Sequence, residues 1–281
     1  MIYREEKIRL DYSKVDAPDH GHEALFKVFI ANTDKEMKDK YLPKRPTVIV
    51  CPGGGYTGLS EREAEPIAMN YLAQGINACI LYYSVAPAVY PVALIQTLSA
   101  IKYIRENADK WFADPDKIYV CGFSAGGHLA ASAGTLWNKD ISKSYFENTD
   151  IVKPNGTVLA YPVIINDEHS HGGSFINLLG DKANDGEMRL LTCLDKQVSD
   201  DTPPAFIWST FADTTVPCES SMRYAFALRE HNIPFELHIY EKGGHGLATC
   251  DNITNNLTKI RQKDWLYHSA EWMKDTRHVE K

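Results

Sequence analysis

The chain has 281 residues, 44% of them hydrophobic and 24% charged, with a formal net charge of -7. That length buries a full core without disulfide staples or structural metals, and the composition is that of a folded globular protein, not a disordered one. A mildly acidic surface is unsuited to polyphosphate, so nucleic acid is excluded as the main partner.

The opening stretch, Met1 to Leu10, carries charges where a signal peptide has its apolar segment, and no run approaches the ~18 apolar residues of a spanning helix. The expectation is a cytoplasmic protein with no membrane partner. Six cysteines (Cys51, Cys79, Cys121, Cys193, Cys218 and Cys250) are scattered without a CxxC pair. Reduced thiols, several packed in strands as small hydrophobes, follow from that spacing.

Two strand-like stretches come first, Lys7 to Tyr12 and Ala24 to Asn32, separated by the turn-rich Ala17 to Gly21. They predict an antiparallel edge. After a charged connection from Thr33 to Pro46, strands and helices alternate. Thr47 to Cys51 is short and almost wholly apolar, as a strand buried on both faces should be. Arg62 to Gln74 predicts a helix, with Pro66 tolerated near its start and Gly75 as its stop. Ile76 to Tyr82 is the next strand. Leu94, Leu98, Ile101, Ile104, Ala108 and Trp111 recur at helical intervals and predict an amphipathic helix. Asp114-Pro115-Asp116 turns the chain into the strand Lys117 to Cys121, and Ala125 to Leu136 reads as a small-residue helix.

Later strands are predicted at Thr157 to Tyr161, Ala205 to Ser209 and Phe235 to Tyr240, with helices at Cys218 to His231 and Thr258 to Lys274. This alternation implies a mostly parallel eight-stranded sheet with helices on both faces, in one domain spanning 1–281. The stretch Ile164 to Thr202 breaks the pattern and reads as an insertion after the sixth strand, a cap or pocket wall.

Gly122-Phe123-Ser124-Ala125-Gly126 is a G-x-S-x-G placed between a predicted strand and a predicted helix. Glycines flank the serine because that strained turn has no room for side chains. A plain helix cap is the bland alternative. A nucleophilic serine needs a base and an orienting acid, in the chain order Ser, Asp or Glu, His. His245 in Gly243-Gly244-His245-Gly246 follows the last strand, and Asp213 directly follows the strand Ala205 to Ser209. Asp181, Asp185, Asp200 and Asp201 precede that strand and Asp251 follows the histidine, so Asp213 alone meets both order and position. His128 is close to Ser124 in sequence, but on a following helix it is unsuited to act as base.

Cys51-Pro52-Gly53-Gly54-Gly55-Tyr56 ends an early strand. Bare backbone there can approach a substrate oxygen, so Gly54, Gly55 and Ala125 are the expected oxyanion donors. No G-K-[S/T] or G-x-G-x-x-G follows, which argues against a phosphate loop.

These four motifs together, in this order, resemble the small bacterial carboxylesterases of the α/β-hydrolase superfamily. The similarity is to the acetylesterase or acetyl-xylan-esterase-like group related to the hormone-sensitive-lipase family, and it covers about residues 45 to 275. One departure is Cys51-Pro52 before the glycines, where the lipase-like branch has His-Gly-Gly-Gly. The resemblance implies an α/β-hydrolase fold and a serine carboxylesterase for short acyl esters, with acetylated carbohydrates among the candidates. An amidase, formamidase or small peptidase is the enzymatic alternative, and a non-catalytic hydrolase-fold binding module the alternative of another class.

No cofactor is expected, and a small-molecule ester is the expected partner; a homo-oligomer stays open. The pairs His20/His22 and His169/His171 lack a third ligand at metal-site spacing, so no metal is expected. Glu61-Arg62-Glu63, just beyond the glycine loop, reads as a solvated face, with a structural role near the site as the alternative that the resemblance implies. Tyr56 and the insertion, with Phe175, Ile176, Leu178 and Leu179 as its apolar cluster, are expected to wall the acyl side.

Overall fold

The computed structural model describes residues 1–33, 44–167, 170–254 and 261–275. The described strands form one eight-stranded sheet. They are β1 (Ile2–Ile8), β2 (Ala24–Ile30), β3 (Arg45–Cys51), β4 (Asn77–Tyr82), β5 (Ala113–Phe123), β6 (Gly156–Ala160), β7 (Ala205–Thr210) and β8 (Phe235–Tyr240), in the spatial order β1-β2-β4-β3-β5-β6-β7-β8. The β1-β2 and β2-β4 pairs are antiparallel and all the others parallel. This is the α/β-hydrolase arrangement, with the expected antiparallel edge.

The helices are α1 (Glu65–Ala73), α2 (Val92–Glu106), α3 (Ala125–Leu136), α4 (Asp140–Lys143), α5 (Gly172–Leu179), α6 (Gly186–Leu191), α7 (Glu219–Glu230) and α8 (Trp265–Lys274). Strand residues alternate between two cores. Ile49 and Cys51 of β3 pack with α2, α3 and α7, while Val48 and Val50 pack with α1 and α8 on the opposite face. Because both faces are covered, the central strands read as continuous apolar runs, whereas the edge strand β8 is only partly buried.

Helix ends follow local chemistry. Pro66 sits in the first turn of α1, where its missing N–H costs nothing, and Gly75 takes φ 83 just beyond the end. In α2 the pattern persists past the helix. Asn107 donates from Nδ2 to Tyr103 O at 2.8 Å and closes it at Glu106, so Ala108 and Trp111 are buried by a turn rather than by the helix.

The first strand is Ile2–Ile8, not Lys7 to Tyr12. Its Arg4-Glu5-Glu6-Lys7 run hid the signal, because an edge strand accepts charges that a central strand does not. Asp11 instead caps a short turn by accepting from Ser13 N at 3.1 Å. The helix expected from Arg62 begins at Glu65, after a separate 3-10 turn at Glu61–Glu63. Residues 258–260, at the expected start of the last helix, lie outside the described ones.

The stretch between β6 and β7 contains α5 and α6. Phe175, Leu178 and Leu179 are buried in the main core and fasten α5 to the sheet, while Ile176 is 62% exposed. Three of the four side chains in that apolar cluster are therefore spent on anchorage rather than on a trough. Arg223 of α7 adds a clamp, donating to Asp195 Oδ2 from Nη2 at 2.9 Å and pairing with Asp167. No helix among the described residues is long and apolar enough to cross a membrane.

Candidate active site

In this topology the carboxyl ends of β3, β5, β7 and β8 open at the same edge of the sheet, where ligands gather in open α/β folds. Each candidate residue leaves one of those strand ends. Ser124 follows β5 directly and takes φ 53 and ψ -118, a sparsely populated conformation for a residue with a side chain. Close packing of the turn enforces it. A Cβ on Gly122 would lie 2.0 Å from Gly126 O, and one on Gly126 would lie 2.1 Å from Cys51 O. The two glycines of the G-x-S-x-G motif are thus where α3 touches β5 and β3.

Ser124 Oγ lies 2.8 Å from His245 Nε2, and His245 Nδ1 lies 2.7 Å from Asp213 Oδ2. Asp213 is 3% exposed, and its Oδ1 accepts from Thr215 N at 2.9 Å and Val216 N at 3.0 Å. A carboxylate so oriented accepts from Nδ1–H, which leaves Nε2 to accept from the serine hydroxyl. Tyr161 supports the imidazole edge to face, with ring centroids 5.1 Å apart. Below it Trp208, Trp265 and Phe123 pack in turn, tilted or edge to face, with ring centroids 5.0 to 5.9 Å apart. Such pairs add about 0.5–1.5 kcal/mol each beyond burial, so the histidine rests on a stiff floor.

The Gly54 backbone is exposed, Gly55 is half-buried, and Ala125 opens α3. None of the hydrogen bonds among the described residues uses the N–H of these three residues. Gly53 differs, because its N–H donates to Glu63 Oε2 at 2.8 Å. Asn177 of α5 donates from Nδ2 to Gly55 O at 2.8 Å, so the insertion braces the glycine loop. Asn177 also lines a cleft of about 740 Å³ together with Val15, His20, Tyr90, Ile176 and Asp181.

Tyr56 is placed differently from the expectation. Its side chain is 3% exposed, and its hydroxyl bonds to His128 Nδ1 at 2.9 Å. It packs edge to face on Tyr83 and His128, beneath the loop rather than along a substrate path. His128 Nε2 donates to Thr192 O at 2.9 Å, which fixes the tautomer and makes Nδ1 the acceptor of the Tyr56 hydroxyl proton. Burial pushes this imidazole down to about 4, so it is neutral and links the glycine loop to the insertion.

Glu63 corrects the expectation of a solvated face for Glu61-Arg62-Glu63: Glu61 and Arg62 are exposed, but Glu63 is buried. It is 4% exposed; Tyr161 O–H donates to its Oε1 at 2.7 Å, and Gly53 N–H to its Oε2. Burial pushes its carboxyl above the usual range, while those two donors, His245 and Arg62 pull it back. A signal was present: Glu63 lies four residues before Ile67 and eight before Tyr71, at the head of the buried stripe of α1. An acid on an apolar stripe is the informative exception.

His171, at the head of α5, bonds to Ser174 Oγ through Nδ1 at 2.9 Å. Its Cε1 would stand 4.0 Å from a Cβ on Gly55, and its pKa is lowered by burial and by His245. His169, the other member of that pair, lies outside the described residues. The His20 and His22 rings stand 5.8 Å apart, and no cluster of three or more metal-ligating side chains occurs among the described residues.

The BD-FAE family model matches residues 34–228, which include the glycine loop, Ser124 and Asp213. The chain is 37% identical over 214 residues to endo-1,4-beta-xylanase B of Butyrivibrio fibrisolvens, covering 74% of this chain and 33% of that protein. It is 31% identical over 232 residues to the acetylxylan esterase of Xylanibacter ruminicola, covering 79% of this chain and 46% of that one. It thus spans between a third and a half of these curated relatives.

Among solved structures, an acetyl ester-xyloside bifunctional hydrolase of Caldicellulosiruptor lactoaceticus matches at a TM-score of 0.82 and 32% identity, over 98% of this chain and 97% of that one. A carboxylesterase of Lactobacillus plantarum matches at a TM-score of 0.80 and 25% identity over the full length of both. By the family match and by its fold, the chain belongs to the BD-FAE family of α/β-hydrolases.

Proposed function

We propose that the protein is a serine carboxylesterase that cleaves short acyl esters, chiefly acetyl groups, from carbohydrates. The observation that carries this reading is the line of hydrogen bonds from Ser124 Oγ through the His245 ring to Asp213, beside uncommitted N–H groups of Gly54, Gly55 and Ala125. Ser124 Oγ attacks the ester carbonyl as His245 Nε2 takes its proton. The imidazolium is stabilised by Asp213 and protonates the leaving alcohol. The tetrahedral oxyanion is held by the three N–H groups, each worth about 10²–10³ in kcat when aimed at the developing charge. Water then enters, gives its proton to His245, and releases the carboxylic acid from Ser124.

Two relatives support the acyl and alcohol parts of the reading, one named an acetylxylan esterase and the other an acetyl ester-xyloside bifunctional hydrolase. The six cysteines are free and buried, which suits the reducing cytoplasm. A panel of acetylated xylose and xylo-oligosaccharides, aryl acetates and N-formyl amides tests the substrate class. Acetyl esters should turn over fastest, with the acetylated sugars giving the lowest KM. Faster cleavage of N-formyl amides would replace this reading with a formamidase.

A further inference from the structure

Glu63 follows the glycine loop in the Glu61–Glu63 turn, and both its oxygens receive donors. Tyr161 Oη accepts from Ala248 N–H at 2.9 Å, so the tyrosine's own proton points to Glu63 Oε1. Gly53 N–H occupies Oε2. A protonated carboxyl would have to donate to Tyr161 Oη, and the tyrosine's own proton would then lose the acceptor it now has. The carboxylate is the form that these partners fit.

This arrangement joins three parts of the site. Gly53 precedes Gly54 and Gly55, Tyr161 underlies the His245 ring, and Ala248 lies in the loop that carries His245. Arg62 reinforces the same loop, donating from Nη2 to Gly246 O at 2.7 Å and from Nε to Thr254 O at 2.9 Å. The packing is close enough to require glycine at 53. A Cβ there would lie 2.7 Å from Glu63 Oε2 and 3.0 Å from Ser124 Cβ.

We propose that Glu63 is a positioning residue for the hydrolysis: its buried carboxylate locks the glycine loop and the His245 loop into one hydrogen-bonded unit and sets a second negative charge beside the imidazolium. This rests on the reading of Ser124 and His245 as nucleophile and base. Within electrostatic reach of His245 are Asp213, Glu63, Tyr161 and His171, and within reach of Glu63 are Arg62, Tyr161, Tyr83, Cys121 and His245. Burial pushes both tyrosines and the thiol upward and His171 downward, so these four are neutral near pH 7. Asp213 and Glu63 are then the anions among the groups within reach of the imidazole.

The test is the pH dependence of kcat and kcat/KM on p-nitrophenyl acetate for the wild type, Glu63→Gln and Tyr161→Phe, with Ser124→Ala alongside. Glu63→Gln should lower kcat by ~10–100-fold with KM within about twofold, because the amide cannot accept from both donors. It should also move the acid limb of kcat/KM to lower pH by ~0.5 unit or more, since an imidazole deprived of a neighbouring anion is less basic. Tyr161→Phe keeps the ring and should lower kcat by about 3–10-fold. A Glu63→Gln enzyme with wild-type kcat and an unmoved acid limb overturns the proposal, whatever its melting temperature. Should Glu63→Gln not fold, Tyr161→Phe decides, and wild-type kcat there overturns it equally. Activity retained in Ser124→Ala would instead sink the triad itself, whereas a dead Ser124→Ala beside a normal Glu63→Gln fails only the role of Glu63.

Discussion

His128 offers a stability experiment whose size follows from its surroundings. The ring is 1% exposed and held between the Tyr56 hydroxyl and Thr192 O, and burial lowers its pKa from 6.5 to about 4. As pH falls below 6.5 the unfolded chain takes up a proton that the folded chain refuses until about pH 4. The stability due to the neutral ring is therefore complete above 6.5, is lost as pH falls through that window, and is constant below it. A gap of roughly 2.5 pH units at about 1.36 kcal/mol each amounts to about 3 kcal/mol. His128→Phe fills similar space but does not titrate in this range.

Urea denaturation of both proteins, followed by circular dichroism from pH 7 to pH 4, isolates the contribution. At pH 7 the wild type should be the more stable, because phenylalanine leaves the Tyr56 hydroxyl and Thr192 O unpartnered. The difference in unfolding free energy should then shrink by about 3 kcal/mol on going to pH 4. A difference that stays constant, or grows on acidification, would show that His128 is not a buried neutral imidazole, and the link from the insertion to the glycine loop would fall with it.

Asp213→Asn should bind substrate normally but lose about 10⁴ in kcat, because the amide favours the wrong histidine tautomer. Asp251→Asn should stay near wild type, since Asp251 serves a local turn with Thr249 and Ile253, and so should Asp181→Asn. A dead Asp251→Asn would move the acid to the far side of His245. In a p-nitrophenyl series from acetate to palmitate, kcat/KM should peak between acetyl and butyryl and fall sharply by octanoyl. A pocket gains about 0.8 kcal/mol per buried methylene only until it is full, and three of the insertion's apolar side chains are spent on the core. A maximum at octanoate or beyond would indicate a lipase-like trough.

The strand and helix alternation was legible because the central strands are covered on both faces and so carry unbroken apolar runs, as in Thr47 to Cys51. Ser124, Asp213 and His245 could be singled out because chain order and strand ends leave few candidates, and the fold brings the three within hydrogen-bond distance. The parts that escaped the sequence depend on directions that a one-dimensional pattern does not carry. Tyr56 follows three loop glycines, yet its ring turns inward to His128. Glu63 sits in a charged triplet, but a three-residue turn points Glu61 outward and Glu63 into the core. The charges of β1 concealed a strand because its position at the sheet edge was not visible. Phe175, Leu178 and Leu179 looked like pocket lining because nothing in their spacing tells a cap's own core from a ligand wall.

The central claim is that Ser124 and His245 act as one catalytic unit, and the kinetics of Ser124→Ala, His245→Ala and the double variant on one acetyl ester test it most directly. Each single change should lower kcat by roughly 10³–10⁶ with the fold intact, and the double variant should fall hardly further than either. Losses that multiply in the double variant, or a single variant that keeps near wild-type turnover, would contradict the account.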